Sequence, residues 1–292
     1  MPDVLIIGGN SMIGAALGER LRADGVNLRC TTRREDRAGA DDLHLDLEAD
    51  PAGWPELPEA PVWVICAAVA RIADCRNDPA HSHAVNVRAV EALAGHAHSK
   101  GAHMVFLSTD KVFDGAQPHT PATTPTCPGS VYGRQKAQAE AAIAAYAGLS
   151  YVIVRLTKVL SRTDKLLTGW IENLSQGKPV TPFSDMTMAP VSLENVVDAL
   201  VWAIRTIPGG IVQISGPRDI TYEQAARHLA TRIHADMGLV QSGFAASAGL
   251  SADETPPFTS LDTTRLYAES SIRIADAYDL IDDILAARTQ HA

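Results

Sequence analysis

Two hydrophobic rhythms alternate along the first half of the chain. Short apolar, β-branched runs suit strands buried on both faces, and the longer stretches between them carry apolar positions at helical spacing. Val4–Ile7, Asn27–Thr31, Leu43–Leu45, Val62–Cys66, His103–Leu107 and Tyr151–Arg155 read as strands. Helices are expected at Ile13–Ala23, Pro79–Lys100 and Tyr132–Tyr146, the last rich in alanine, a strong helix former. Asp114–Pro128, full of Pro, Thr and Gly, must be a loop. Strands regularly separated by helices predict βαβ units and a parallel sheet. The fold class is therefore α/β, a Rossmann-type doubly wound parallel sheet.

Beyond residue 156 the pattern loosens. Helices are expected at Leu166–Gln176, Leu193–Thr206, Thr221–Ile233 and Ile274–Arg288, with a strand at Ile211–Ile214. Gly243–Pro257 is small and polar and reads as a loop. The expected division is a dinucleotide-binding domain over residues 1–160 and a smaller C-terminal substrate-binding lobe over 161–292. A stretch near 190–215 would return to the first domain.

Composition narrows the function classes. A formal charge of −9 argues against nucleic acid and anionic membrane as partners. No apolar stretch reaches the roughly 18 residues of a membrane span. The four cysteines have no metal-type spacing, which suits a reducing cytoplasm. His81 and His83, like His96 and His98, lie two apart in a helical pattern and do not share a face, so no metal site is expected.

The first strand runs into Gly8-Gly9-Asn10-Ser11-Met12-Ile13-Gly14 and then a helix. Glycines there allow a tight turn and bring backbone N–H groups close to a pyrophosphate at the helix N-terminus. Ser11 stands where glycine is usual, and its hydroxyl could donate to a phosphate. The second strand ends in Thr31-Thr32-Arg33-Arg34, without the acidic residue that would accept from a ribose 2′-hydroxyl. Two guanidiniums fit a 2′-phosphate, so NADP(H) is the expected cofactor. The plainer alternative is a pair of solvated arginines.

Tyr132 and Lys136 are four residues apart, hence on one helical face. Hydride reduction of a ketone leaves an alkoxide that a positioned acid must protonate. A free phenol, with a pKa of about 10, does this poorly unless a neighbouring ammonium stabilises its phenolate. Thr109, at the carboxyl edge of the fifth strand, is placed to hold the substrate oxygen, although turn formation is an equally natural role.

Taken together, these segments resemble the extended short-chain dehydrogenase/reductases, and among them the dTDP-4-dehydrorhamnose reductase family. The family's STDYVFDG motif corresponds to Ser108-Thr109-Asp110-Lys111-Val112-Phe113-Asp114-Gly115, and its VYGxxK to Val131-Tyr132-Gly133-Arg134-Gln135-Lys136. Asp78-Pro79 with Val85-Asn86 looks like the family's helix after the fourth strand, and Val154-Arg155-Leu156 like its sixth strand. The resemblance implies Thr109, Tyr132 and Lys136 as catalytic residues, with Tyr132 the proton donor and Lys136 also bonding the nicotinamide ribose. It implies cofactor contacts from the glycine turn, including Met12 and Ile13, and from Asp46, Leu47, Ala67 and Ala68. Substrate contacts would come from Lys111, Val112, Phe113 and Arg155. It further implies a sugar-nucleotide substrate and a homodimer. The family alternatives are an epimerase or dehydratase that retains its cofactor, and a non-catalytic dinucleotide-binding regulatory subunit. Three departures mark the chain: Lys111 in place of Tyr, Ser11 in place of glycine, and only an echo of the family's substrate loop at Asp185–Pro190.

Overall fold

The computed structural model describes residues 3–39 and 42–289. Strand β1 (Val4–Ile7) leads into helix α1 (Met12–Ala23), followed by β2 (Leu28–Thr32), β3 (Asp42–His44) and β4 (Val62–Ile65). Then come α2 (Ile72–Asn77), α3 (Pro79–His83), a π-helical turn over Ala84–Arg88, and α4 (Ala89–Ser99). Strand β5 (His103–Thr109), α5 (Val131–Ala145) and β6 (Tyr151–Leu156) complete the regular half. The remainder holds β7 (Val159–Leu160), α6 (Lys165–Ser175), β8 (Thr187–Met188), β9 (Val191–Ser192), α7 (Leu193–Thr206) and β10 (Gly210–Ile214). It ends with β11 (Ile220–Thr221), α8 (Tyr222–Arg232), α9 (Thr264–Glu269) and α10 (Ala277–Thr289).

One sheet carries seven strands in the order β3-β2-β1-β4-β5-β6-β10. The pairs β1–β2, β2–β3, β1–β4 and β4–β5 are parallel. The strand order reverses between β1 and β4, the switch point where doubly wound sheets bind ligands. β1 and β4 are buried along their whole length, and β5 as well. That explains why they read as continuous apolar runs rather than alternating ones. Leu5, Ile7, Trp63, Ile65, Met104 and Phe106 form one core with Leu93, Ala97 and Ile143 from the helices.

The chain divides into two compact units. The first takes the described residues up to Phe113, with Pro125–Arg155 and Val196–Val212; the second takes Asp114–Thr124, Leu156–Asn195 and Gln213 onward. Unlike the expected division, the second unit claims part of the loop after β5. The backbone explains it: Phe258 N–H donates to Gly115 O, Thr120 N–H to Ser260 O and Asp262 N–H to Thr120 O, at 3.1–3.2 Å. The second unit has its own core, in which Trp170, Ile171, Leu174, Leu229 and Ile281 pack together.

One expectation needs correction. The single helix over Pro79–Lys100 is interrupted by the π turn at Ala84–Arg88, and α2 precedes it unannounced. Gly243–Pro257 is a loop, as expected, with 3₁₀ turns at Ala245–Ala248 and Ala252–Glu254.

Candidate active site

The glycine turn is built around close approaches. Gly8 has φ +86°, and a Cβ there would lie 2.7 Å from Ala67. Its N–H donates to Thr31 Oγ1 at 3.0 Å. At Gly14 a Cβ would fall 2.3 Å from the Gly8 carbonyl oxygen, so the first turn of α1 can sit against the loop only without a side chain. Ser11 caps α1, accepting from Gly14 N–H at 3.1 Å and donating to Gly8 O at 2.8 Å. This corrects the expectation for Ser11: its one hydroxyl proton goes to the loop rather than outward to a phosphate. The first turn of α1 holds no acidic residue, which leaves the positive end of the helix uncompensated.

A cavity of about 750 Å³ opens beside this turn. Gly8, Asn10 and Ser11 line it together with Thr31, Thr32 and Arg33 from the end of β2. Asp46, Leu47, Ala67 and Ala68, all anticipated, line it too. Met12, Ile13, Gly14 and Arg34 do not. The Arg34 guanidinium is turned to Asp36, at 2.7 and 3.1 Å, in full solvent. Of the paired arginines, then, the structure brings only Arg33 to the cavity. Arg71, which sequence reasoning passed over, also lines it; a lone arginine after β4 gives no signal in the sequence.

At the carboxyl end of β5, Thr109 caps a 3₁₀ turn over Asp110–Val112. Its Oγ1 accepts from Lys111 N–H at 3.2 Å and donates to Asp110 Oδ1 at 3.0 Å. Asp110 Oδ2 in turn meets the Lys111 ammonium at 2.9 Å. Tyr132, in the first turn of α5, hydrogen-bonds Thr109 through its side chain. Ser130 caps α5 by accepting from Gly133 N–H at 3.1 Å, which fixes where the Tyr132 turn begins.

Lys136 follows one turn later and is 2 % exposed, an unusual burial for lysine. Its Nζ lies 3.8 Å from the centre of the Phe106 ring. Burial pulls its pKa down to about 7, against the opposing pull of Glu140 and Cys66. The Tyr132 phenol is pushed above its ordinary value, chiefly by burial and then by the Asp110 carboxylate, with Cys75 adding to it and the Thr109 side chain working the other way. Burial pushes the Cys66 thiol up to about 12. The structure thus assembles Thr109, Tyr132 and Lys136 around the end of β5.

Three side chains expected at the substrate face inward instead. Val112 is fully buried and Phe113 nearly so. Arg155 stacks over the Phe113 ring at 4.9 Å and pairs with Glu140, leaving no guanidinium face for a substrate. A long cation next to a buried carboxylate binds it rather than remain unpaired in a low-dielectric core. Lys111 is less committed, retaining some exposure beside Asp110. Among the described residues, no three His, Cys, Asp or Glu side chains gather in a metal-holding cluster.

The family model described as the RmlD substrate binding domain matches residues 2–288. The chain belongs to that family. As a member of it, the chain is an oxidoreductase. A probable dTDP-4,6-dihydroxy-2-methyloxan-3-one 4-ketoreductase of Streptomyces antibioticus is 28% identical over 245 residues, covering 81% of this chain and 79% of that protein. The dTDP-4-dehydrorhamnose reductase of Sinorhizobium fredii is 29% identical over 180 residues, covering 57% of this chain and 59% of that protein. The fold matches the Bacillus anthracis dTDP-4-dehydrorhamnose reductase, solved in complex with NADP, with a TM-score of 0.83 at 16% identity, over 98% of this chain and 100% of that one. No helix among the described residues is long and apolar enough to cross a membrane.

Proposed function

We propose that this member of the family reduces a keto-sugar nucleotide at the expense of NADPH, with Tyr132 as proton donor. One observation carries the reading: a half-buried phenol on α5 sits against Thr109 on β5, with buried Lys136 one helical turn behind it. The names of the relatives, both ketone reductases acting on dTDP-sugars, support the substrate class.

The residues present fit a dinucleotide. Gly8 and Ser11 sit at the uncompensated N-terminus of α1, where a pyrophosphate is stabilised by backbone N–H groups and the helix dipole. Arg33 lines the same cavity and supplies the charge for a 2′-phosphate. NADPH, when bound, supplies the hydride. The protein supplies the proton. Burial keeps Tyr132 protonated in the resting site, so its proton is held until an alkoxide, a far stronger base than a phenolate, forms on the substrate carbon. The O–H bond of Tyr132 then breaks, the proton passes to the alkoxide oxygen, and the phenolate left behind is stabilised by the Lys136 ammonium. Thr109 holds the phenol in place through their hydrogen bond. Cys30, Cys66, Cys75 and Cys127 are joined in no disulfide among the described residues, which suits a reducing cytoplasm.

A retaining epimerase or dehydratase is the second reading, and Asp110 favours it, being an acidic group bonded directly to Thr109. Its engagement with Lys111 weighs on the other side. Purified protein given NADPH and a panel of 4-keto sugar nucleotides decides between them. Stoichiometric loss of absorbance at 340 nm, dependent on the ketone, supports reduction. Isomerised or dehydrated product with no net NADPH loss supports the second reading, and no turnover of any substrate rejects the sugar-nucleotide class.

A further inference from the structure

Behind the Ala67–Arg71 wall of the cavity lies a cluster of buried polar side chains that the proposed reaction leaves unused. Cys75, Ser82, Asn86 and Gln135 are each exposed by 3 % or less. Gln135 immediately precedes Lys136 on α5, and its Oε1 accepts from Asn86 Nδ2 at 2.9 Å. Its Nε2 donates to Ser82 Oγ at 2.9 Å and to the Pro79 carbonyl at 3.3 Å. Asn86 completes the connection to the wall. Its Oδ1 accepts from Val69 N–H at 2.9 Å, and its Nδ2 donates to the Val69 carbonyl at 3.0 Å. The Cys75 thiol donates to that same carbonyl at 3.2 Å.

This arrangement does more than fill space. Asn86 grips both backbone groups of one residue, as a neighbouring strand would, and so fixes where Val69 lies. The residues on either side, Ala68 and Ala70, line the cavity together with Val69 itself. Asn86 belongs to the π turn at Ala84–Arg88, where the wider helical repeat re-aims side chains. Apolar groups would hold these helices together without the desolvation cost of four buried polar side chains. A satisfied polar network contributes a single defined geometry instead.

We propose that Gln135 is a positioning residue: through Asn86 it sets the Ala67–Arg71 wall of the dinucleotide site relative to the helix that carries Lys136. The inference rests on the dinucleotide reading given above and extends it to a residue that touches neither cofactor nor substrate. One rigid link joins the surface against which the cofactor lies to the helix that bears the acid–base pair. A displacement of about 1 Å between two such groups costs on the order of 100-fold in rate.

The test is NADPH affinity by cofactor fluorescence, with kcat and melting temperature alongside, in wild type, Gln135→Leu, Asn86→Ala and the double variant. Each single variant is expected to bind NADPH about tenfold more weakly, as a charge-neutral buried bond of 1–1.5 kcal/mol implies. The double variant is expected to be no worse than the weaker single one, because both act through one chain of bonds. Gln135→Glu should recover affinity as pH falls, since the protonated carboxyl reproduces both the acceptor and the donor of the amide. A folded Gln135→Leu with unchanged affinity and kcat overturns the inference, and so do losses that simply add in the double variant. Should Gln135→Leu fail to fold, Ser82→Ala decides: a loss of about threefold in affinity supports the link, and no loss overturns it. A wild-type protein that binds no dinucleotide overturns the cofactor reading as well, which separates that failure from this one.

Discussion

The Arg155 guanidinium and the Glu140 carboxylate meet side by side, Nε 3.0 Å from Oε1 and Nη2 2.6 Å from Oε2, with both side chains almost out of solvent. Ser108 Oγ adds a bond to Oε1 at 2.5 Å. Arg155 lies on β6, Ser108 on β5 and Glu140 on α5, one turn beyond Lys136. The cluster therefore pins α5, the helix that carries Tyr132 and Lys136, to two strands of the sheet. Glu140→Ala would strand the arginine in the core, and the expected loss is about 3–5 kcal/mol of folding free energy. Urea unfolding measures it; a change below about 0.5 kcal/mol would mean the pair does not anchor the helix.

Lys136 should cost the protein stability. Its pKa falls from the ordinary 10.5 to about 7 on folding. Between those values the unfolded chain binds a proton that the folded chain lacks, so stability rises with pH across the window. Below about pH 7 both states are charged and the full desolvation penalty is present. Lys136→Met is accordingly expected to melt higher than wild type at pH 6–7, with the gain shrinking towards pH 10.5 while activity is lost. Melting curves across that range check it, and a variant less stable than wild type at pH 6 contradicts it.

Arg33 and Arg34 should separate in their effect on cofactor choice. Arg33 lines the cavity, whereas Arg34 is held by Asp36. Arg33→Ala is expected to weaken NADPH roughly 10- to 100-fold, the worth of charge-assisted bonds to a phosphate, with little effect on NADH. Arg34→Ala should change either affinity less than about threefold, because an exposed ion pair contributes little. Titration of both variants with both cofactors tests the pair; equal losses would show that Arg34 leaves Asp36 for the ligand.

Tyr132→Phe should remove the proposed proton donor while leaving the cavity intact. Loss of a general acid costs about 10²–10⁴ in kcat, while NADPH affinity is expected to stay within threefold. Retention of full turnover would reject Tyr132 as the acid, and retention of biological activity without turnover would favour a regulatory subunit.

The two halves of the candidate site were unequally legible. Tyr132 and Lys136 are four residues apart on an alanine-rich helix, and helical geometry alone puts them on one face. Glu140, a further four along, carried the same signal and was missed. Gln135 carried none, because its partners Asn86, Ser82 and Pro79 lie about fifty residues away along the chain. The π turn that presents Asn86 was equally hidden, since a helix with one wider turn keeps nearly the same apolar spacing.

What the sequence determined by itself is what neighbours along the chain decide: strand and helix periods, the glycine turn that admits no Cβ at residue 14, and the order that makes a parallel sheet. The tertiary structure alone decided where the long polar side chains are committed. Arg34 could have faced a phosphate, Arg155 a substrate and Ser11 an anion, yet each found a protein partner instead. Backbone periodicity is a local property, set within a few residues. A guanidinium or hydroxyl reaches whichever acceptor the fold brings within about 3 Å, and that choice is made only once distant segments have come together.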